Sequence, residues 1–157
     1  MPSVLFVCTA NRIRSPLAAA IFRKELETRG FPLQDWVISS AGTWAEGGLD
    51  ALPLAQHSAQ ELGISLVGHR SKIVTEKILS DHALVLTMEH GQKEALQVEF
   101  PQFAGKIYLL SEMIGQIYEI DDPVGGSLSG YHQAGRSILK IIREGMDKII
   151  TLATDNS

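Results

Sequence analysis

The feature that most constrains the fold lies near the start of the chain, where an apolar run leads through a polar turn into an amphipathic helix. The uninterrupted apolar run at residues 4–7 is typical of a strand buried on both faces. Apolar residues then recur at helical spacing from Leu17 to Leu26. Ser15 is the expected N-cap of this helix, and Pro16 suits its first position, where no backbone N–H is needed. A strand joined in this way to a helix predicts the first unit of a parallel α/β sheet.

The turn between this strand and helix predicts an anion-binding cup. It opens with Cys8 and closes with Arg14, and between them stand Thr9, Ala10, Asn11, Arg12 and Ile13. Backbone N–H groups at the positive end of a helix attract an anion, and the guanidinium fork of Arg14 suits the oxygens of a phosphate. The same surroundings favour a Cys8 thiolate aimed at the central atom of the anion. A lone cysteine at a strand end is more often inert, but the combination of strand, cysteine, arginine and helix favours a nucleophile.

The rest of the chain alternates strand and helix patterns. Further strands are predicted at 36–39, 83–87 and 107–110, and helices at 52–62, 75–79, 89–98 and 131–152, with a short helical piece at 111–118. Residues 40–48, 64–72 and 121–126 are predicted loops. This alternation predicts an α/β fold, namely a single flavodoxin-like doubly wound domain over residues 1–157, with a four-stranded parallel sheet and helices on both faces.

Composition excludes several classes of protein. The net charge of −4 argues against a nucleic-acid partner. No apolar run is long enough to span a membrane, and the first residues lead directly into a strand, so we expect no signal peptide, anchor or membrane partner. A single cysteine excludes an intramolecular disulfide and predicts a reducing, cytoplasmic location. The histidines lack the spacing of metal ligands, so neither a metal nor another cofactor is expected.

A general acid is predicted late in the chain. A thiolate that attacks phosphorus needs an acid to protonate the leaving group, and a loop lets that acid reach across the phosphate. Asp121 and Asp122 precede Pro123 in a predicted loop. An ordinary Asp-Pro turn is the alternative, but the Cys8 cup favours a general acid here.

These motifs resemble a known family. Cys8-x5-Arg14-Ser15-Pro16 after an N-terminal strand is similar to the low-molecular-weight protein-tyrosine phosphatases and their bacterial protein-arginine phosphatase relatives. The resemblance covers almost the whole chain. It implies that the aspartate directly before the late proline, Asp122, is the general acid and base.

The resemblance also implies supporting residues. Asn11 and Ser15 match an asparagine and a serine that support the cup, and Ser40 and His69 match a further serine and histidine of the family. The stretch from Asp122 to Tyr131 looks more like the bacterial arginine phosphatase branch than like the eukaryotic tyrosine phosphatases. Trp44, on the predicted glycine-rich loop, is expected to form one wall of the substrate cleft.

Three positions depart from the family pattern. Ile13 stands where many members have a second cysteine, Arg12 where an isoleucine or threonine is common, and Val124 where an aromatic residue often lines the cleft. We expect Arg12 at the rim of the cup, where its charge would repel a phosphoarginine guanidinium but not a phenol. The loss of one aromatic contact at Val124 costs only about 1 kcal/mol. The sequence therefore predicts a cysteine-dependent phosphatase that prefers phosphotyrosine or aryl phosphates.

The alternatives share the cup but differ in chemistry. A protein-arginine phosphatase would use the same mechanism. An arsenate reductase of this fold passes a disulfide among several cysteines, and this chain has one. A non-catalytic phosphate-binding module would need neither Cys8 nor Asp122. The expected partners are a phosphorylated protein or small aryl phosphate and an oxyanion in the turn.

Overall fold

The computed structural model describes residues 1–156 and contains four parallel strands. Their bounds are β1 Ser3–Cys8, β2 Val37–Gly42, β3 Leu84–Thr87 and β4 Ile107–Leu109. The strand order is β2-β1-β3-β4. Every residue of β1 is buried, as expected for a central strand that is covered on both faces.

Helices connect the strands and cover the sheet. They are α1 Arg14–Thr28, α2 Pro53–Glu61, α3 Glu76–Ser80, α4 His90–Glu99 and α5 Leu128–Asp155. Shorter 3-10 turns occupy Leu33–Asp35, Pro101–Lys106 and Leu110–Ile114. Within residues 1–156, none of the helices is both long and apolar enough to cross a membrane.

The side chains of β1 point alternately into two apolar cores, one on each face of the sheet. Phe6 belongs to the larger core, with residues of α1, α2 and α5. Val7 belongs to the smaller one, with Leu79 of α3 and Leu96 of α4. The predicted α/β class, with a four-stranded parallel sheet and helices on both faces, is therefore confirmed.

Strand β2 is longer than the sequence predicts. Residues 40–42 were expected in a loop, but Ser40, Ala41 and Gly42 pair with Phe6, Val7 and Cys8 of β1. Their small side chains reflect close packing against the turn, because a Cβ added at Gly42 would collide with the backbone oxygen of Thr9. The pairing brings Ser40 beneath the turn instead of leaving it in a loop.

The start of α1 also differs from the prediction. The helix begins at Arg14, and its N-cap position is Ile13, which makes no side-chain capping hydrogen bond. Ser15 is therefore inside the first turn, and its hydroxyl does not cap the helix. Its distance of 2.9 Å from the Cys8 sulfur shows where this hydroxyl is used instead.

Candidate active site

A cavity of about 150 Å³ lies at the carboxyl end of β1. The residues that line it are Cys8, Thr9, Ala10, Arg12, Ile13, Arg14, Leu52, Asp122 and Val124. All but Leu52 were singled out from the sequence. Open parallel sheets commonly bind ligands at this edge, and the turn between β1 and α1 forms the floor of the cavity.

Cys8 lies at the bottom of the cavity with its side chain directed toward Ser15. The residue is 2% exposed, and its Sγ is 2.9 Å from Ser15 Oγ. Asn11 Nδ2 donates to the same Ser15 oxygen over 2.8 Å. The Ser15 hydroxyl proton has two acceptors in reach, the Cys8 sulfur at 2.9 Å and the Ala41 backbone oxygen at 3.4 Å, and donation to the sulfur is the arrangement that suits a thiolate.

Asn11 is the residue on which the support of the turn converges. It is fully buried and has a φ of 59°, a left-handed conformation that asparagine tolerates better than most residues. Its Nδ2 donates to Ser40 Oγ at 3.0 Å, and its Oδ1 accepts from the backbone N–H of Lys72 at 3.0 Å. His69 Nε2 donates to the Asn11 backbone oxygen at 2.7 Å. The structure thus brings Asn11, Ser15, Ser40 and His69 together as the resemblance implied.

His69 holds the turn as a donor. Its Nε2 must carry a proton, because its partner is a carbonyl oxygen. Burial lowers the pKa of His69 below its ordinary value, and the nearby cations Lys72, Arg23 and Arg70 act in the same direction. The bond to Asn11 opposes this shift only in part, and the pKa stays below its ordinary value. A neutral ring with its proton on Nε2 therefore fits the site.

Arg14 is held rigidly under the cavity. It is 1% exposed, and its Nη1 donates to Glu89 Oε2 at 2.5 Å and to the Ile120 backbone oxygen at 2.6 Å. Its Nη2 is 3.6 Å from Asp122 Oδ2, too far for a hydrogen bond. One edge of the guanidinium is thus fixed by protein acceptors, and the other is available to an oxyanion.

Glu89 and Gln92 are site residues that the sequence analysis missed. Glu89 precedes α4, and Gln92 Nε2 donates to Glu89 Oε2 at 3.2 Å and to Thr9 Oγ1 at 3.0 Å. The pair therefore connects Arg14 to the opposite end of the turn. A signal was present, since Glu89 follows strand β3 closely and neighbouring parallel strands end at the same edge of a sheet. Predicting that Glu89 lies near Arg14 would have required knowing that β3 is next to β1 in the sheet.

Asp122 reaches the cavity, but Asp121 does not. Asp122 Oδ1 accepts from the Val124 backbone N–H at 3.0 Å, which orients the carboxylate, and its side chain is 38% exposed. Burial and the charge of Asp122 raise the pKa of Tyr131, so this phenol keeps its proton. Asp121 lines a separate cavity against α5. The geometry therefore favours Asp122 as the acid.

Arg12 was predicted at the rim of the cup and Trp44 at a wall of the cleft, and of the two only Arg12 lines the cavity. Arg12 lines the cavity, and its Nε donates to the Asp50 backbone oxygen at 2.8 Å. Trp44 does not line the cavity, and 83% of it is exposed. Its backbone N–H donates to the Thr9 backbone oxygen at 3.0 Å. The structure therefore does not place Trp44 at the wall where it was predicted, and Leu52, which was not predicted, is part of the lining.

Within residues 1–156, no three histidine, cysteine or acidic side chains are grouped so that they could hold a metal ion. The polar groups of the cavity are instead one thiol, one hydroxyl, two guanidinium groups, one carboxylate and the backbone of the turn. This set can bind a tetrahedral oxyanion and place a nucleophile on one side of it and an acid on the other. The fold and the site together define a parallel α/β protein with an oxyanion-binding turn.

Comparison with known proteins gives the family. Residues 3–155 match the family model described as low molecular weight phosphotyrosine protein phosphatase. A protein-arginine-phosphatase of Bacillus subtilis (strain 168) is 32% identical over 142 residues, which cover 90% of this chain and 92% of that protein. The chain belongs to the low molecular weight protein-tyrosine phosphatase family, whose members are hydrolases acting on phosphoric monoesters.

Solved structures agree with this assignment. The low molecular weight protein tyrosine phosphatase from T. tengcongensis has a TM-score of 0.88 and 34% identity, with 94% of this chain and 99% of that chain covered. A cysteine-to-serine mutant of the YwlE arginine phosphatase, with a phosphorylated active-site serine, has a TM-score of 0.87 and 30% identity and covers 94% of this chain and 95% of its own. These neighbours are single flavodoxin-like α/β domains, which confirms the predicted fold type.

Proposed function

We propose that this chain is a cysteine-dependent phosphatase that hydrolyses phosphotyrosine in proteins, and other aryl phosphate monoesters, through a cysteinyl-phosphate intermediate. The observation that carries the proposal is the convergence of Cys8, Arg14 and Asp122 on one cavity. The Ser15 hydroxyl, 2.9 Å from the Cys8 sulfur, supports a thiolate there. Family membership supports the same reaction class.

In the first step, the Cys8 thiolate attacks phosphorus and the bond from phosphorus to the leaving oxygen breaks. The available edge of the Arg14 guanidinium and the backbone N–H groups of the turn stabilise the charge on the three equatorial oxygens. Asp122, protonated at this stage, gives its proton to the leaving phenol oxygen. The products are a neutral phenol and phosphocysteine.

In the second step, water attacks the phosphocysteine. Asp122, now ionised, accepts a proton from the water as the new bond to phosphorus forms. The bond from phosphorus to sulfur breaks, and the electron pair returns to Cys8 as a thiolate. Inorganic phosphate leaves, Asp122 holds the proton again, and no other reactant is needed.

Substrate choice rests on Arg12. Because its Nε donates to the Asp50 backbone oxygen, the guanidinium is held at the wall of the cavity. A cationic phosphoarginine side chain would meet this charge as it enters, whereas a phenol ring would not. Leu52 and Val124, which also line the cavity, present apolar surface to a ring. Phosphotyrosine is therefore the preferred substrate in this proposal.

Protein-arginine phosphatase activity is the second candidate. It is supported by the name of the Bacillus subtilis relative at 32% identity and uses the same nucleophile, arginine and acid. The test compares kcat/KM for phosphotyrosine and phosphoarginine peptides of the same sequence, for the wild type and for Arg12→Thr. We expect the wild type to prefer phosphotyrosine, and Arg12→Thr to shift the ratio toward phosphoarginine. A preference for phosphoarginine that Arg12→Thr leaves unchanged would favour the second candidate.

The proposed location is the cytoplasm, and the proposed macromolecular partners are phosphorylated proteins. The chain has a single cysteine, as the reducing interior of a cell favours. The net charge of −4 gives a nucleic acid no general attraction.

A further inference from the structure

A second cavity, of about 320 Å³, lies on the other side of the residues that support the catalytic turn. It is formed by one face of α1, by the edge strand β2 and by residues 65–72. It shares no lining residue with the catalytic cavity. Any ligand that it holds would therefore bind beside the active site and not in it.

The charges around this second cavity are all of one sign. Arg23, Arg70 and Lys72 line it beside the neutral ring of His69, and no aspartate or glutamate does. Arg70 is paired with Asp50. Arg23 donates from Nη2 to the Ile38 backbone oxygen at 2.6 Å, and among residues 1–156 neither Arg23 nor Lys72 has a carboxylate within salt-bridge distance. In a chain whose net charge is −4, a concave surface that carries three cations and only one ion pair favours an anion.

Three residues of the cavity wall bond directly to Asn11 of the catalytic turn. His69 Nε2 donates to its backbone oxygen at 2.7 Å, the Lys72 backbone N–H donates to its Oδ1 at 3.0 Å, and Ser40 Oγ accepts from its Nδ2 at 3.0 Å. Asn11 in turn donates to Ser15, the neighbour of the Cys8 sulfur. The wall of the second cavity is therefore hydrogen-bonded directly to the catalytic turn.

We propose that this second cavity is an effector site for a phosphate group, held by Lys72, Arg23 and His69, and that its occupation stabilises the catalytic turn through Asn11. The volume accommodates a phosphate with a small organic group attached. The same chemistry can be supplied by a phosphorylated metabolite or by a second phosphorylated residue of a protein substrate.

The coupling follows from the two nitrogens of His69. An anion in the cavity offsets the neighbouring cations and favours the protonated ring, in which both nitrogens donate. The bond from Nε2 to the Asn11 oxygen is then charge-assisted and stronger. Since Asn11 has a φ of 59°, a conformation that needs support from its surroundings, a stronger bond keeps the turn in its binding shape. The effector is therefore expected to activate.

The test uses enzyme whose Cys8 is carboxymethylated, so that the catalytic cavity is filled and turnover plays no part. Backbone amide NMR spectra are recorded while inorganic phosphate is added at constant ionic strength, with sodium chloride as the reference. We expect the amides of Asn11, His69 and Lys72 to shift together and to saturate with one Kd. A parallel titration with a phosphoserine peptide identifies the source of the phosphate group. Tighter binding of inorganic phosphate would indicate a small phosphorylated molecule, and tighter binding of the peptide would indicate a phosphorylated protein segment.

Two matched lysine variants test whether phosphate binds in the second cavity. Lys72→Met keeps the backbone N–H that holds Asn11 but removes the cation, and we expect it to weaken the Kd about tenfold, as for the loss of one charge-assisted contact. Lys140→Met removes an exposed lysine of α5 that does not line the cavity, and its Kd should equal that of the wild type. Phosphate shifts no larger than those with chloride, or a Kd unaffected by Lys72→Met, would overturn the proposal. Neither result would bear on the proposed catalytic function, because the catalytic cavity is blocked throughout.

Discussion

Glu89→Gln tests whether the carboxylate under Arg14 positions that guanidinium for catalysis. In the wild type, Glu89 Oε2 accepts from Arg14 Nη1 at 2.5 Å, and only 1% of Arg14 is exposed. The glutamine keeps an oxygen that accepts a hydrogen bond but removes the compensating charge. Asp122, at 3.6 Å, is the only other carboxylate within ion-pair distance of Arg14 among residues 1–156.

The size of the effect follows from the burial of the pair. Breaking a fully buried ion pair costs about 3–5 kcal/mol, and a hydrogen bond to a charged group is worth about 1.5–3 kcal/mol. Because the Glu89 side chain is 34% exposed, water can partly replace its charge. We therefore expect the free energy of unfolding to fall by about 2 kcal/mol, which lowers Tm by roughly 6 °C in a chain of this length. A loss of about 1.4 kcal/mol in transition-state stabilisation would reduce kcat about tenfold.

The assay combines kinetics with thermal unfolding in the presence and absence of phosphate. Bound phosphate supplies negative charge beside Arg14, so saturating phosphate should raise the Tm of Glu89→Gln more than that of the wild type. Glu25→Gln is the matched control, since Glu25 is 7% exposed and pairs with Arg143 at 2.8 Å, far along the chain from the turn. It should lower stability without changing kcat. Equal effects of the two variants on kcat, or no extra stabilisation of Glu89→Gln by phosphate, would refute a positioning role for Glu89.

Three further changes have definite expected outcomes. Asp122→Ala should slow hydrolysis of poor leaving groups by about a hundredfold or more and of p-nitrophenyl phosphate by less, while Asp121→Ala costs little; steady-state rates that rank the two aspartates in reverse would transfer the acid to Asp121. Burial lowers the pKa of His82 below 6.5, so as the pH falls below about 6.5 the unfolded chain takes up a proton that the folded chain does not, and stability falls; in urea unfolding, His82→Asn should reduce this slope by up to about 1.4 kcal/mol per pH unit, and an unchanged slope would exclude His82 as its source. Peroxide should inactivate the enzyme, and dithiothreitol should restore activity only after mild oxidation, because Ile13 stands where a resolving cysteine would be needed; full recovery after prolonged oxidation, followed by activity and mass spectrometry, would contradict this.

Local patterns predicted much of the fold because they are strong in this chain. The apolar run of β1 and the helical spacing of α1 depend on residues close in sequence, and both elements are present, although α1 begins at Arg14 and not after Ser15. Helix α3 also occurs where a helix at 75–79 was predicted, and Oγ1 of its N-cap residue Thr75 accepts from the Ile78 backbone N–H at 3.2 Å. The extension of β2 to Gly42 was not predictable in this way, because it is set by pairing with β1 and by close contact with Thr9.

The site shows the same division. Cys8 and Arg14 belong to one continuous motif, so the sequence brought them together. Glu89 approaches Arg14 from 75 residues away, and its role depends on β3 lying beside β1. Trp44 was predicted at the wall because it lies on the loop after β2, but whether a loop side chain enters a cavity depends on the tertiary arrangement, which no local pattern reveals.

The central claim is that Cys8 carries the phosphoryl group between substrate and water. The direct measurement mixes the enzyme with p-nitrophenyl phosphate, quenches it in neutral denaturant within the first turnover, and analyses the peptide containing position 8 by mass spectrometry. We expect one phosphoryl group on Cys8 in the wild type and no steady-state turnover by Cys8→Ser. A wild-type burst of nitrophenol without phosphate on Cys8, or sustained turnover by Cys8→Ser, would contradict the claim.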